Sequence, residues 1–153
     1  MKIKIFHKKE FGITLDNATA PSCQWKLKSS SALELVYGDV MDKQSVDPFV
    51  ARVCDSTANV GVDLVVADGG FQEARNVHDQ EQKMCRLVMC EIILMYQVLA
   101  PGGDFICKTF ELASPFSIEL LMLLTHTFES VAIVKPVVRY GKPEAHQTNP
   151  LGV

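Results

Sequence analysis

A chain of 153 residues, 48% of them hydrophobic, can bury the core of one globular domain, so we expect residues 1–153 to form a single domain. A formal net charge of −3 excludes a uniformly basic surface for nucleic acid, although it does not exclude a local basic patch. No apolar run reaches the roughly 18 residues that a membrane helix needs, which excludes a membrane-spanning protein at this stage.

The cysteines indicate a reducing compartment, and the histidines argue against a metal site. Five cysteines include no C-x-x-C pair, and an odd number of thiols within apolar runs is typical of a reducing environment. We therefore expect an intracellular protein, nuclear or cytoplasmic. The four histidines are scattered and show no zinc-type spacing, so we expect no bound metal.

Apolar runs of strand length alternate along the chain with longer segments of helical period. Strands that are apolar on both faces and separated by helices are typical of a mostly parallel sheet with helices on both faces, so the sequence predicts the α/β doubly wound class. Residues 16–32, rich in small polar side chains, are expected to form a surface loop. The predicted strands are 33–40, 62–69, 103–110 and 130–137, and the predicted helices lie near 46–58, 78–100 and 115–128.

The two predicted helices nearest the C-terminus have recognisable boundaries. The helix at 78–100 carries apolar residues around much of its circumference, which indicates a core helix, and the APGG segment at 100–103 is expected to end it. Ser114 as N-cap and Pro115 at the first helical position mark the start of the next helix, because proline there loses no helical hydrogen bond.

Charged residues stand at the ends of three predicted strands, which is where ligands bind in doubly wound sheets. The first of these strands ends at Asp39, the second ends at Asp68, and the third carries Lys108. A lysine and an aspartate at neighbouring strand ends suggest an acid–base or ion-paired site. Their spacing alone does not name a reaction.

These positions also have structural explanations. Asp39 would accept backbone hydrogen bonds in its turn, and Gly38 would admit another backbone or a flat ring. Gly69 and Gly70 would serve a tight turn that needs a positive φ. Lys108 would form a structural ion pair, because an ammonium in an apolar strand must reach water or a carboxylate to avoid a desolvation cost of several kcal/mol. The residues themselves indicate an α/β domain with a small-ligand or nucleotide site.

A series of segments follows in a specific order along the chain: FGITL at 11–15, GDV at 38–40, VDLVVADGGF at 62–71, and CEIILMYQVLAPGGDFICKTFELASPFSIELLMLL at 90–124, continued by FESVAIVKP at 128–136. Their order and wording, above all in ADGGF and GGDFICKTFELASPFS, resemble the FtsJ-like ribose 2′-O-methyltransferases. Within that group the resemblance is greatest to the eukaryotic and viral mRNA cap 2′-O-methyltransferases. It covers most of the chain.

The resemblance implies a Rossmann-like methyltransferase that uses S-adenosylmethionine to methylate a ribose 2′-OH of RNA. The family uses a Lys-Asp-Lys-Glu tetrad, of which Asp68, Lys108 and Glu144 are the matching catalytic residues here. Asp68 also matches a residue near the methionyl end of the cofactor, while Asp39 and Val40 match the turn that contacts adenine. The expected partner is capped mRNA or another RNA with a ribose 2′-OH.

The family's first strand, its glycine-rich cofactor loop and its first tetrad lysine precede FGITL, where this chain has MKIKIFHKKE. The tail EAHQTNPLGV also lacks a strand pattern. We therefore expect a truncated domain, and an alternative function remains open: a non-catalytic remnant that acts as a binding or scaffold module. A missing central strand would leave unpaired backbone groups, so we expect that either the remaining strands close the gap or two chains form a homodimer across it.

Overall fold

The computed structural model describes residues 2–6, 9–15, 29–70, 80–109 and 112–135. In that part of the chain, strands and helices alternate after an N-terminal pair of strands. The elements are β1 (Lys2–Phe6), β2 (Glu10–Thr14), β3 (Leu33–Tyr37), α1 (Lys43–Ser56), β4 (Val62–Ala67), α2 (Gln80–Val98), β5 (Leu99–Cys107) and α3 (Pro115–Thr127).

The strands form one five-stranded sheet with the order β3-β2-β1-β4-β5. The pairs β2–β3 and β4–β5 are parallel, and β1 runs antiparallel between them. Because the parallel pairs are joined to helices along the chain, the predicted α/β class is confirmed.

The strand β1 corrects one expectation from the sequence. We predicted no strand before FGITL and therefore a gap in the sheet, but the KIKIF segment pairs with β2 on one side and β4 on the other. Its alternation of lysine and isoleucine has the period of two that favours a strand. The remaining strands thus close the gap within one chain, while a homodimer stays a prediction.

The hydrophobic core joins β2, α1, β4 and α2 into one cluster. The helix α2 packs against α1 and α3 and against the strands β4 and β5, as its apolar circumference predicted. Burial of each large apolar side chain contributes roughly 1.5–3 kcal/mol to folding. Large core side chains with almost no exposure are Phe11, Ile13, Phe49, Met84, Leu87, Leu94 and Met95.

The start of α3 lies where the sequence predicted it. The Ser114 hydroxyl accepts the N–H of Ser117 at 3.2 Å as N-cap, and Pro115 occupies the first turn. The Ser114 hydroxyl and N–H both donate to Glu81 Oε1, at 2.7 and 3.0 Å. The pKa of Glu81 is lowered by hydrogen bonding to the side chain of Ser117 and then to Ser114. The bonds from Ser114 join the first turns of α2 and α3.

Several other element boundaries differ from the prediction by a few residues, and two differences are larger. The helix α2 ends at Val98, and the APGG segment belongs to β5, where residues 100–103 lie opposite Asp63 at a shift in register. Gly102 has a φ of +78°, so this glycine shapes an irregular strand rather than a helix end. The predicted strand at 130–137 was wrong for residues 130–135, which have no regular secondary structure, and its last two residues lie outside the described part.

No helix in the described ranges combines the length and the apolar character required to cross a lipid bilayer.

Candidate functional site

The register of β4 and β5 sets two charged residues side by side. Ala67 and Cys107 are the last paired residues of these parallel strands, and the N–H of Lys108 donates to the carbonyl of Ala67 at 2.8 Å. Asp68 and Lys108 follow immediately at the carboxyl ends of the strands. The structure therefore brings together two of the residues that the sequence predicted to be catalytic.

Asp68 and Lys108 form an ion pair with 2.5 Å between Oδ1 and Nζ. The two side chains are 56% and 45% exposed, so both groups can be reached from solvent. An exposed ion pair contributes roughly 0–1 kcal/mol to stability. Lys108 is paired with a carboxylate, as expected for a lysine in an apolar strand, but the ion pair contributes little to the stability of the fold.

The two glycines after Asp68 do not serve a turn with a positive φ. Among the described glycines only Gly61 and Gly102 have a positive φ, so that structural explanation was wrong. A Cβ on Gly69 would collide with Glu91 Oε1 and would lie 2.8 Å from Leu87 Cδ2, whereas a Cβ on Gly70 would lie 3.6 Å from Lys108 Nζ. Gly69 is therefore needed because a helix side chain approaches its backbone closely.

That side chain is the carboxylate of Glu91, in the middle of α2 and 1% exposed. Its Oε1 accepts the N–H of Gly69 at 2.9 Å. Burial raises the pKa of Glu91 to about 7, against the opposing effects of the Gly69 hydrogen bond and the charge of Lys108. The sequence analysis missed this residue, although a glutamate within the apolar run VMCEIILM was a visible signal, since a lone buried charge is costly.

The thiols beside this edge are not suited to nucleophilic chemistry. Burial raises the pKa of Cys107 to about 12 and also raises the pKa of Cys90. A thiol with a raised pKa stays protonated at neutral pH, and the thiolate is the reactive form. Asp68 and Lys108, rather than the thiols, are therefore the candidate reactive groups at this edge.

The turn after β3 holds the two other predicted cofactor-binding residues. Asp39 is half-buried, and its Oδ1 accepts the N–H of Met41 at 2.9 Å, which agrees with the structural explanation for this residue. The side chain of Val40 is 4% exposed and belongs to the core. A Cβ on Gly38 would lie 2.8 Å from Ser45 Cβ, so this glycine admits the first turn of α1.

A cavity of about 760 Å³ adjoins the ion pair among the described residues. Asp68 and Lys108 are among its few charged lining residues, and most of its wall comes from apolar side chains of β5, α2 and α3. This volume lies within the usual range for small-molecule sites. In the described ranges no group of three or more His, Cys, Asp or Glu is arranged to hold a metal ion.

The third predicted catalytic residue, Glu144, lies outside the described residues. Its role therefore stays a prediction.

Residues 4–145 match the FtsJ-like methyltransferase family. The chain is 35% identical over 145 residues to the zebrafish (Danio rerio) protein named cap-specific mRNA (nucleoside-2′-O-)-methyltransferase 1, covering 86% of this chain and 17% of that protein. It is 34% identical over 143 residues to the human (Homo sapiens) protein of that name, covering 88% of this chain and 17% of that protein.

A nematode protein of the same name, from Caenorhabditis elegans, is 36% identical over 99 residues, covering 65% of this chain and 11% of that protein. The chain thus spans less than a fifth of the length of these relatives. The matched region includes the strands and helices that carry the ion pair, since it extends from residue 4 to residue 145.

Proposed function

The chain belongs to the FtsJ-like methyltransferase family, and we propose that it transfers the methyl group of S-adenosylmethionine to a ribose 2′-OH of RNA, of the mRNA cap type. The observation that carries this proposal is the exposed pair of Asp68 and Lys108, which the register of β4 and β5 sets side by side. The cap type is supported by the names of the relatives. A protein that modifies mRNA would meet its substrate inside the cell, in the nucleus or the cytoplasm.

The residues of this edge fit a cationic methyl donor. S-adenosylmethionine, when bound, supplies an electrophilic methyl group on a positively charged sulfur. Asp68 offers a carboxylate that is more than half exposed, and opposite charge at short range favours binding of a cation. We place the methionyl end at Asp68 and the adenine at the turn of Asp39 and Val40, where the second oxygen of Asp39 and the backbone are the available contacts.

Lys108 is suited to orient the nucleophile. Asp68 positions Lys108 Nζ through the ion pair, and a lysine side chain of this kind can hydrogen-bond a hydroxyl oxygen as well as a carboxylate. In the transfer the 2′-oxygen would take the methyl group from the donor sulfur, which would leave as the neutral thioether, and the hydroxyl proton would pass to solvent; positioning of that oxygen lowers much of the barrier. We therefore assign Lys108 the role of holding the 2′-OH in line with the donor methyl group, and Glu144 remains the third proposed catalytic residue.

A labelled-methyl transfer assay tests the proposal. Capped RNA with a free 2′-OH on its first transcribed nucleotide is incubated with the protein and isotopically labelled S-adenosylmethionine, and nucleosides are analysed by mass spectrometry. We expect label in a 2′-O-methylated nucleoside, and none on RNA that already carries this methyl group. Calorimetry on the same sample decides the alternative: capped-RNA binding without donor binding or transfer would establish a non-catalytic binding module instead.

A further inference from the structure

Glu91 is a buried ionisable group that the proposed chemistry does not use. It lies on the buried side of α2 with Leu87, Leu94 and Met95, each no more than 1% exposed. A carboxylate among such side chains is costly unless a specific partner compensates for it. Its placement therefore points to a task that an apolar residue could not perform.

The partner of Glu91 is the peptide that follows Asp68. The bond from the Gly69 N–H to Oε1 is buried and joins positions 22 residues apart. Position 69 has no side chain, and any Cβ there would collide with this carboxylate. The glycine and the glutamate are thus two halves of one contact, which fixes the direction of the chain as it leaves Asp68.

Glu91 is also electrostatically coupled to the proposed site. After burial and the Gly69 hydrogen bond, the largest influences on the pKa of Glu91 are the charges of Lys108 and Asp68. On β5, burial raises the pKa of the Cys107 thiol most, and the charge of Glu91 raises it further. The charge of Glu91 therefore interacts with the charges of Asp68 and Lys108, the two side chains of the proposed site.

We propose that Glu91 is a positioning residue: its carboxylate holds the Gly69 peptide and thereby aims the pair of Asp68 and Lys108 that performs the methyl transfer of the proposed function. The inference rests on that function for its effect on rate, but the contact itself does not. Ionised Glu91 binds the Gly69 N–H more strongly than the neutral acid does.

Amide NMR of the ¹⁵N-labelled protein tests the contact without any assay of activity. The Gly69 amide proton is followed between about pH 5.5 and about pH 8.5, the range in which a carboxyl group raised this far titrates. We expect it to shift with a midpoint near 7, because protonation of Glu91 weakens its hydrogen bond. A Gly69 signal that shows no inflection in this range would overturn the inference.

Three variants separate positioning from a structural role. Glu91→Gln keeps an acceptor for Gly69 but has no charge to titrate, so the inflection should disappear while the fold is retained. Glu91→Ala removes the acceptor, and the Gly69 N–H should then exchange faster with solvent. Glu119→Gln, on the exposed face of α3, makes the same change in net charge and should keep the inflection. An unchanged inflection in Glu91→Gln contradicts the inference.

The pH profile of methyl transfer tests the effect on the site. We expect kcat of the wild type to rise severalfold as Glu91 ionises, the profile of Glu91→Gln to be flat, and KM for capped RNA to stay the same in both. If the pH profile of kcat in Glu91→Gln matches that of the wild type, the positioning role is overturned, even where the Gly69 amide signal of the wild type shows its inflection. If the wild type itself transfers no methyl group, the proposed function fails, and the Gly69 signals alone then decide the inference.

Discussion

The turns after β3 and β4 each contain a glycine against which a helix side chain packs, but the two side chains differ in charge. At Gly38 the neighbour is the small neutral Ser45 of α1, and at Gly69 it is the buried carboxylate of Glu91 on α2. Asp39 in the first turn accepts a backbone N–H of its own turn, whereas Asp68 in the second turn faces Lys108.

This difference shows how similar sequence signals lead to different chemistry. A glycine beside an aspartate at a strand end is compatible with a turn whose polar groups satisfy one another, and the turn after β3 is of that kind. The same residue types form an exposed ion pair when the neighbouring strand supplies a lysine in register, as β5 does for β4.

Removal of the lysine should have the largest effect. For Lys108→Ala we expect methyl transfer to fall by about 10²-fold or more, because a misplacement of roughly 1 Å at the reacting oxygen costs that much. Single-turnover kinetics at saturating donor measure this loss. Lys43→Ala is the matched control, because Lys43 is paired with Asp47 on the exposed face of α1, and it should transfer at the wild-type rate. Equal rates in the two variants would refute the role of Lys108.

Neutralisation of the two aspartates should separate the turns. Asp68→Asn removes the charge that we propose to bind the cationic donor, so affinity for S-adenosylmethionine should fall about 10–100-fold, as expected for a charged hydrogen bond. Asp39→Asn keeps the acceptor for the Met41 N–H, and the loss should stay within about threefold. Calorimetric titration measures both. A greater loss for Asp39→Asn would move the main donor contact to the turn after β3.

The buried glutamate should make stability depend on pH. The pKa of Glu91 rises from 4.5 in the unfolded chain to about 7 in the fold, so between these values the folded protein binds more protons. The free energy of unfolding of the wild type should therefore fall, relative to Glu91→Gln, as the pH rises through this window. A shift of this size corresponds to a loss of about 3 kcal/mol.

Urea denaturation of both proteins at several pH values measures that difference. We expect Glu91→Gln to be the more stable protein at pH values above 7 and the two to converge towards the acid end of the window. A difference that does not vary with pH would show that Glu91 ionises normally in the fold.

Alanine at each of the two glycines after Asp68 should have the smallest effect. Gly69→Ala places a methyl group against Glu91 and Leu87, so we expect a loss of about 1–3 kcal/mol from overpacking. Gly70→Ala places one at ordinary contact distance from Lys108 Nζ and should change stability by no more than about 0.5 kcal/mol. Thermal denaturation compares them, and equal losses would contradict the close approach of Glu91.

The sequence predicted the parts of this fold that depend on local pattern. The alternation of apolar strands and helices indicated the α/β class, and Ser114 with Pro115 marked the start of α3, because capping is local chemistry. The APGG segment was wrongly predicted to end the helix, since glycine and proline end helices but also occur in irregular strands such as the start of β5. The strand β1 was missed because KIKIF is short and has two lysines, and its pairing with β2 and β4 is a long-range contact.

The site shows the same limit. Asp68 and Lys108 were found from their strand ends and from the family resemblance, but their separation depends on the register of β4 and β5, which no single segment encodes. Glu91 was missed because its partner, the Gly69 N–H, is a backbone group 22 residues away. A charged residue within an apolar helix signals that a partner exists, but only the packing of α2 on the sheet identifies it.

The edge formed by the ends of β3, β4 and β5 is the proposed binding site of the methyl donor, with the strongest contact at Asp68 and with Lys108 beside it. Amide chemical-shift changes on addition of S-adenosylmethionine test this most directly. We predict the largest changes at Gly69, Gly70 and Lys108, smaller ones at Asp39, and none at Asn59, in the turn that precedes β4. Changes confined to Asn59 and its neighbours, or no change at saturating donor, would contradict the account.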